Sequence, residues 1–245
     1  MFPLQDNIPS RRVPVVTYLL ILANSVVFLF ELSLSQQSLE RLLYVFGVVP
    51  ARFSNPAWGA HVGFTACSIV PFFTSMFLHG GWLHIIANMW TLWIFGDNVE
   101  DRMGHLRFLI FYLLCGVLGS ILHVLTNLDS PVPTIGASGA IAGVLGAYFL
   151  LFPLAGVLVV FPVFFWPLFF ELPAVLYLGF WFLSQFFAGT LSLVATHNIG
   201  NVAWWAHVGG FFAGMALIPI FTPRRKPRRP MFADEYGTTG AWFNF

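Results

Sequence analysis

Charged residues are scarce in this chain. Asp, Glu, Lys and Arg make up 9% of its 245 residues, whereas 58% of the residues are hydrophobic and the mean hydropathy is +0.81. In soluble domains about 25% of the residues are charged. The composition therefore excludes an ordinary soluble domain and indicates a protein of the lipid bilayer.

Cysteine is also rare, with two residues in the whole chain. Cys67 lies in a long connection, whereas Cys115 lies in the middle of an apolar segment. A disulfide needs Cα atoms within about 7 Å of each other, so these two positions would have to share one depth in the membrane. We therefore predict two free thiols and no secreted disulfide framework.

Long apolar segments dominate the rest of the sequence. A bilayer span needs about 20 such residues, and the pattern predicts an all-α, polytopic membrane protein with six transmembrane helices in one domain, residues 14–221. A cytoplasmic tail, residues 1–13, precedes this domain, and a basic, mobile cytoplasmic tail, residues 222–245, follows it. The predicted spans are residues 14–34, 80–98, 105–125, 138–152, 172–189 and 202–221.

Basic residues lie mostly on one side of these spans. Nine of the eleven fall on that side, and only Arg41 and Arg52 on the other. The positive-inside rule then places both termini in the cytoplasm. The cluster Arg224–Arg229 could contact nucleic acid, but we favour a juxtamembrane anchor to anionic lipid and expect no nucleic-acid partner.

Two apolar connections are predicted to lie at the membrane surface. The apolar segment 151–170 would, as a seventh span, move Arg224–Arg229 to the outer side against the charge rule. We therefore expect an interfacial connection on the cytoplasmic face. In the long first outer loop, Leu42–Val49 is predicted to lie on the membrane surface.

Two reactive side chains lie in glycine-rich apolar segments. Ser138 begins the predicted fourth span and His207 lies in the sixth. A serine with a histidine base is the arrangement of nucleophilic catalysis. The alternative is that both residues only join helices by hydrogen bonds. The sixth span contains no Asp or Glu, so a third member is not visible.

Small residues recur every four positions in the same two spans. Gly139 and Gly143 form a stripe on the fourth span, and Gly210 and Gly214 form one on the sixth. Such stripes allow helix backbones to approach closely in membranes. Close packing would bring the serine and the histidine to a similar depth.

His84 and Asn88 are four residues apart and share one face of the predicted second span. Their side chains could stabilise an oxyanion in acyl transfer, or they could bond a neighbouring helix. A metal site with His79 is a third alternative. It is poorly supported, because no HExxH motif or carboxylate ligand accompanies these histidines.

Three motifs follow one another on the predicted second, fourth and sixth spans. They are LHGGWLHIIAN at Leu78–Asn88, GASG at Gly136–Gly139 and AHVGG at Ala206–Gly210. Together they strongly resemble the rhomboid family of intramembrane serine proteases, and the resemblance covers roughly residues 14–221. The runs Phe46–Phe53 and Val99–Gly104 also look like those of bacterial members.

The resemblance implies that Ser138 is the nucleophile and His207 its general base. It also implies an oxyanion hole formed by His84, Asn88 and the Ser138 backbone N–H. The expected activity is hydrolysis of peptide bonds in or near transmembrane helices of other membrane proteins, without a cofactor or metal. The expected partners are such substrates and membrane lipids, and the expected location is a bacterial inner membrane; the sequence defines no oligomeric state.

The sequence departs from the family at two points. Ala142 stands where the best-studied members have an aromatic residue that packs on the histidine, and their Trp-Arg pair in the first outer loop is not evident. The contrasting class is a membrane protein without enzymatic activity, either a transporter or a chaperone that binds helices. A transporter should show interrupted helices at corresponding positions of two halves, and the sequence has no internal repeat.

Overall fold

The computed structural model describes residues 1–55, 57, 59, 68–163, 166–194 and 202–223. Cys67, the Arg224–Arg229 cluster and the tail beyond residue 223 lie outside these described residues, so what the sequence predicts for them stays a prediction. Cys115 is a free, buried thiol.

The described residues are mainly helical, as their long apolar segments predict. A short 3₁₀ turn, Ser75–Phe77, follows the fourth helix. The helices are α1 Val15–Ser33, α2 Gln36–Phe46, α3 Ala51–Ser54, α4 Val70–Thr74, α5 Trp82–Met103, α6 His105–Thr126, α7 Ser138–Leu151, α8 Ala174–Val194 and α9 Trp204–Phe221.

Helix length and composition identify the candidate spans. In the described ranges, α1, α6, α8 and α9 are long and apolar enough to cross a bilayer, and the bent pair of Val70–Phe77 and α5 is a fifth candidate, with 95° between its parts. α7 has only 14 residues, fewer than the roughly 20 that a complete span needs. A helical membrane bundle is thus confirmed, while the predicted six spans exceed the four or five that this criterion supports.

α7 lies in the centre of the bundle. Every residue from Gly139 to Tyr148 is buried, and α7 contacts α5, α6, α8 and α9. Its glycines and alanines make it thin, so neighbouring helices can pack directly against its backbone. A helix enclosed by protein on all sides need not match the thickness of the lipid.

A buried carboxylate joins α1 to α5. Glu100 is 1% exposed, and it accepts hydrogen bonds from the backbone N–H groups of Val16 and Thr17 at 2.9 and 2.8 Å and from the Thr17 hydroxyl at 2.7 Å. These N–H groups belong to the first turn of α1 and have no partner within the helix. A negative charge also interacts favourably with a helix N-terminus, so Glu100 fixes where α1 begins.

The structure corrects the prediction of an all-α fold. Three antiparallel strands form a sheet in the order β1 Phe2–Asp6, β2 Gly156–Val163 and β3 Trp166–Pro173. The tail predicted for residues 1–13 therefore includes a strand, and the predicted interfacial connection 151–170 is largely a β-hairpin. The cause is a run of β-branched valines in β2 that finds a partner more than 150 residues earlier in the chain.

Candidate active site

Ser138 is the first residue of α7, and backbone hydrogen bonds hold the loop before it in place. The Thr134 N–H donates to the Val48 carbonyl at 2.7 Å, and the Gly136 N–H donates to the Ser75 carbonyl at 2.8 Å. Gly136 has a φ of +120°, a backbone conformation that favours glycine. A Cβ at this position would also lie 2.7 Å from the His84 ring, so the loop passes close to that imidazole only because the residue is glycine.

α7 and α9 pack with their backbones in contact. A Cβ at Gly210 would overlap the carbonyl oxygen of Gly139, and one at Gly214 would overlap that of Gly143. At Gly143, a Cβ would overlap Cys115 of α6. Gly139 differs, because a Cβ there would meet its nearest atom, the Ala206 carbonyl oxygen, at an ordinary 3.5 Å.

This packing brings Ser138 and His207 together. The distance from Ser138 Oγ to His207 Nε2 is 2.8 Å, a normal length for such a hydrogen bond. His207 is 9% exposed, and Ser138 is half-buried. An imidazole nitrogen at this distance can take the hydroxyl proton when the oxygen attacks an electrophile.

The opposite nitrogen of His207 has a partner on α8. His207 Nδ1 lies 2.7 Å from Gln185 Oε1, and the Trp181 ring lies against the imidazole with 6.0 Å between ring centroids. Ala142 is buried in the interface with α9. Gln185 and Trp181, both on α8, thus contact the imidazole.

Sequence reasoning missed Gln185. One signal was available, since an amide side chain is unusual in an apolar span and polar groups at this depth find partners. The sequence alone did not indicate which face of α8 packs against α9.

His84 and Asn88 both lie on the face of α5 that points into the helix bundle. The Gly80 N–H donates to His84 Nδ1 at 3.3 Å, which assigns the ring proton to Nε2 by the bonding pattern. A Cβ placed on Gly136 would be 2.7 Å from His84 Nε2 and 3.7 Å from Ser138 Oγ, so the imidazole edge and the hydroxyl border the same small volume. Asn88 is 6% exposed, and its Nδ2 has no hydrogen-bond partner among the described residues.

A small polar cavity lies beside Ser138. Its volume is about 10 Å³, and its lining includes Ser75, Ser120 and Thr134. That volume is about the minimum for one water molecule, and hydroxyl groups are suitable partners for it.

No group of three or more His, Cys, Asp or Glu side chains suited to a metal ion occurs in the part of the chain that the structure describes. His79 packs edge-on against His84, with 5.1 Å between ring centroids. The Glu31 carboxylate accepts a hydrogen bond from the His79 backbone N–H at 3.2 Å.

The Rhomboid domain family model matches residues 66–224, which is more than half of the chain. This protein therefore belongs to the rhomboid family. It is 46% identical over 74 residues to the rhomboid protease GluP of Bacillus subtilis, a match that covers 30% of this chain and 14% of GluP. It is 28% identical over 155 residues to the putative rhomboid protease YdcA of the same organism, covering 60% of this chain and 68% of YdcA.

A plant relative extends the comparison. RHOMBOID-like protein 1 of Arabidopsis thaliana is 32% identical over 159 residues, covering 62% of this chain and 34% of that protein. The chain spans about a quarter or less of the length of several curated relatives, for example 23% of RHOMBOID-like protein 5.

Proposed function

We propose that this protein is an intramembrane serine endopeptidase in which Ser138 and His207 form a catalytic dyad. The observation that carries the proposal is the 2.8 Å hydrogen bond between Ser138 Oγ and His207 Nε2, made inside a membrane helix bundle of the rhomboid family. Membership of that family supports the reaction class, and the buried position of His207 gives the imidazole a fixed orientation.

In the proposed reaction, Ser138 Oγ attacks the scissile carbonyl carbon while His207 Nε2 takes the hydroxyl proton. The negative charge that develops on the carbonyl oxygen is stabilised by His84 Nε2–H, Asn88 Nδ2–H and the Ser138 backbone N–H. His207 then gives its proton to the departing amine. A water molecule then attacks the acyl-enzyme while His207 takes its proton, and His207 returns that proton to Ser138 Oγ as the acid product leaves. These groups complete hydrolysis without a metal or cofactor.

The proposed membrane arrangement has six spans in residues 14–221. They are α1, the bent α4–α5 pair, α6, the enclosed α7, α8 and α9. With Ser138 at the outer end of α7, the active site opens toward the outer side. Both termini then lie in the cytoplasm of a bacterial inner-membrane protein, with Arg224–Arg229 contacting anionic lipid.

The proposed substrates are transmembrane segments of other proteins. A helical backbone shields its carbonyl groups by its own hydrogen bonds, so the segment must unwind locally before Ser138 can attack. The family resemblance implies helix-destabilising residues, which favour this step, and a small residue at the cleaved bond.

The test is cleavage of a model transmembrane substrate in liposomes by purified Ser138→Ala and His207→Ala variants. Each change should lower the rate by several orders of magnitude, since members of such a catalytic unit act together. Ser25→Ala is a matched control, because the Ser25 hydroxyl donates to the Ile21 carbonyl of its own helix. Near-normal cleavage by either dyad variant would overturn the assignment. Helix binding without cleavage by the wild type would favour a chaperone.

A further inference from the structure

We propose that Gln185 is a positioning residue that selects the reactive tautomer of His207; this inference rests on the proposed function. The hydrogen bond between His207 Nδ1 and Gln185 Oε1 at 2.7 Å joins α9 to α8. Gln185 is 8% exposed, so solvent competes little for either partner.

The surroundings of Gln185 define which end of its amide faces the imidazole. Gln185 Nε2 donates to the Ser184 hydroxyl at 2.9 Å and lies 3.4 Å from the Trp181 carbonyl oxygen. A carbonyl oxygen only accepts hydrogen bonds, so the amide nitrogen belongs on that side. The amide oxygen therefore faces His207.

This orientation determines the position of the imidazole proton. Because Gln185 Oε1 only accepts, His207 Nδ1 must carry the hydrogen. Nε2 then has a free lone pair and accepts the Ser138 hydroxyl at 2.8 Å. The reversed tautomer would leave Nδ1 and Oε1 as two acceptors in contact and would also remove the base from Ser138. Gln185 thus stabilises the one tautomer in which His207 can take a proton.

A neutral partner differs from the carboxylate of a Ser-His-Asp triad. Both fix orientation and tautomer, but only the carboxylate adds a charge that stabilises the imidazolium. A charge in a membrane span is costly, whereas an amide with its hydrogen bonds satisfied is not. The arrangement therefore provides the geometry of a triad without an ionised side chain beside the imidazole.

The experiment compares full-length wild type, Gln185→Leu and Gln185→Glu in liposomes, with cleavage kinetics measured from pH 5 to pH 9. Thr190→Val is the control, since Thr190 is exposed on the same helix and its hydroxyl donates to the Phe186 carbonyl of that helix. Gln185→Leu should lower kcat by about 10–100-fold with little change in KM, less than the roughly 10⁴-fold loss where a wrong tautomer is enforced. Gln185→Glu should retain more activity, and the acidic limb of its pH profile should move to higher pH, because a carboxylate favours the imidazolium.

Each outcome decides the matter. An unchanged kcat in Gln185→Leu overturns the inference. If that variant unfolds, Gln185→Glu decides, since an unmoved acidic limb in a folded, active protein contradicts contact with the base. If Ser138→Ala is inactive and Gln185→Leu cleaves at the wild-type rate, this inference alone is overturned. Normal cleavage by Ser138→Ala overturns the proposed function.

Discussion

The imidazole of His84 has a tautomer that suits a hydrogen-bond donor. Its Nδ1 accepts from the Gly80 N–H, which leaves the proton on Nε2, at the edge that faces Gly136. Glu31, 2% exposed in α1, supports the turn before α5 by accepting from the His79 N–H. The proposed oxyanion donor His84 therefore follows a turn that a buried carboxylate from a different helix supports.

His84→Ala and Asn88→Ala should each lower kcat by about 10²–10³-fold, the usual loss when one oxyanion donor is removed. Substrate binding should change less, because the donors act mainly on the charge that develops in the transition state. Steady-state kinetics in liposomes measure both. The control is Thr91→Ala on the same helix, where the hydroxyl donates to the Ala87 carbonyl. An unchanged kcat in a folded Asn88→Ala variant would assign that residue to helix packing.

The individual site residues could be recognised in the sequence from their neighbours and their spacing. Ser138 and His207 stand beside glycines in apolar segments, and His84 and Asn88 share a helix face by their spacing, so the sequence alone identifies all four as candidates. Gln185 could not be assigned a role, because its partner depends on which face of α8 packs against α9. The sequence of a helix that is apolar on all sides gives little information about that face.

The helix pair α7–α9 tolerates no side chain at its closest points. Gly210→Leu, at the contact with Gly139, and Gly143→Leu, whose side chain would overlap Cys115 of α6, should each reduce cleavage by about 10²-fold or more, since a displacement near 1 Å can cost that much. Gly210→Ala should also be harmful, because even a methyl group overlaps the Gly139 carbonyl. Cleavage kinetics and thermal unfolding in detergent separate misplacement from loss of folding. Gly179→Ala is the control, since among the described residues a Cβ there would first meet the Phe149 ring, at an ordinary 3.9 Å. Full activity of Gly210→Leu would refute the packing described.

The N-terminal strand is attached to the bundle through Asp6. Its carboxylate accepts from the Tyr148 hydroxyl and from Asn98 Nδ2, at 2.5 and 2.8 Å. Burial, together with the nearby Asp97, raises the pKa of Asp6 from 3.8 to about 6. A carboxyl group whose pKa is raised by folding stabilises the folded state most at low pH, and this contribution is lost as the pH rises through about 6.

Thermal stability in detergent should therefore increase as the pH falls from 7 to 5. Asp6→Asn should weaken this pH dependence, because the amide keeps the volume and does not ionise. Differential scanning fluorimetry at both pH values checks the effect, with exposed Asp129→Asn as the comparison. An equal pH dependence in Asp6→Asn and wild type would show that another group is responsible.

The helices were predictable as elements and the sheet was not. Apolar length and charge placement indicate spans such as α1 and α6, whereas β1 and β2 are far apart in sequence and neither forms a sheet alone. Apart from Glu171, the run 156–173 consists of apolar residues, glycine and proline, and short apolar stretches such as β2 and β3 do not distinguish a strand from a buried helix.

The charge asymmetry makes a topological prediction for the whole molecule. In a Cys67→Ser background, Lys226→Cys should react with a membrane-impermeant thiol reagent only after the membrane is opened, whereas Asp129→Cys should react in intact cells. Cys115 should stay silent in both because it is buried. Labelling of Lys226→Cys from outside would contradict the six-span arrangement and the cytoplasmic location of the C-terminus.

The central claim concerns one oxygen atom, and a fluorophosphonate probe tests it most directly. In liposomes the wild-type protein should become labelled, and mass spectrometry should locate the adduct on Ser138. His207→Ala should be labelled far more slowly, because no base then takes the hydroxyl proton, and Ser138→Ala should not be labelled at all. Absence of labelling in folded wild-type protein, or an adduct that persists in Ser138→Ala, would contradict Ser138 as the activated nucleophile.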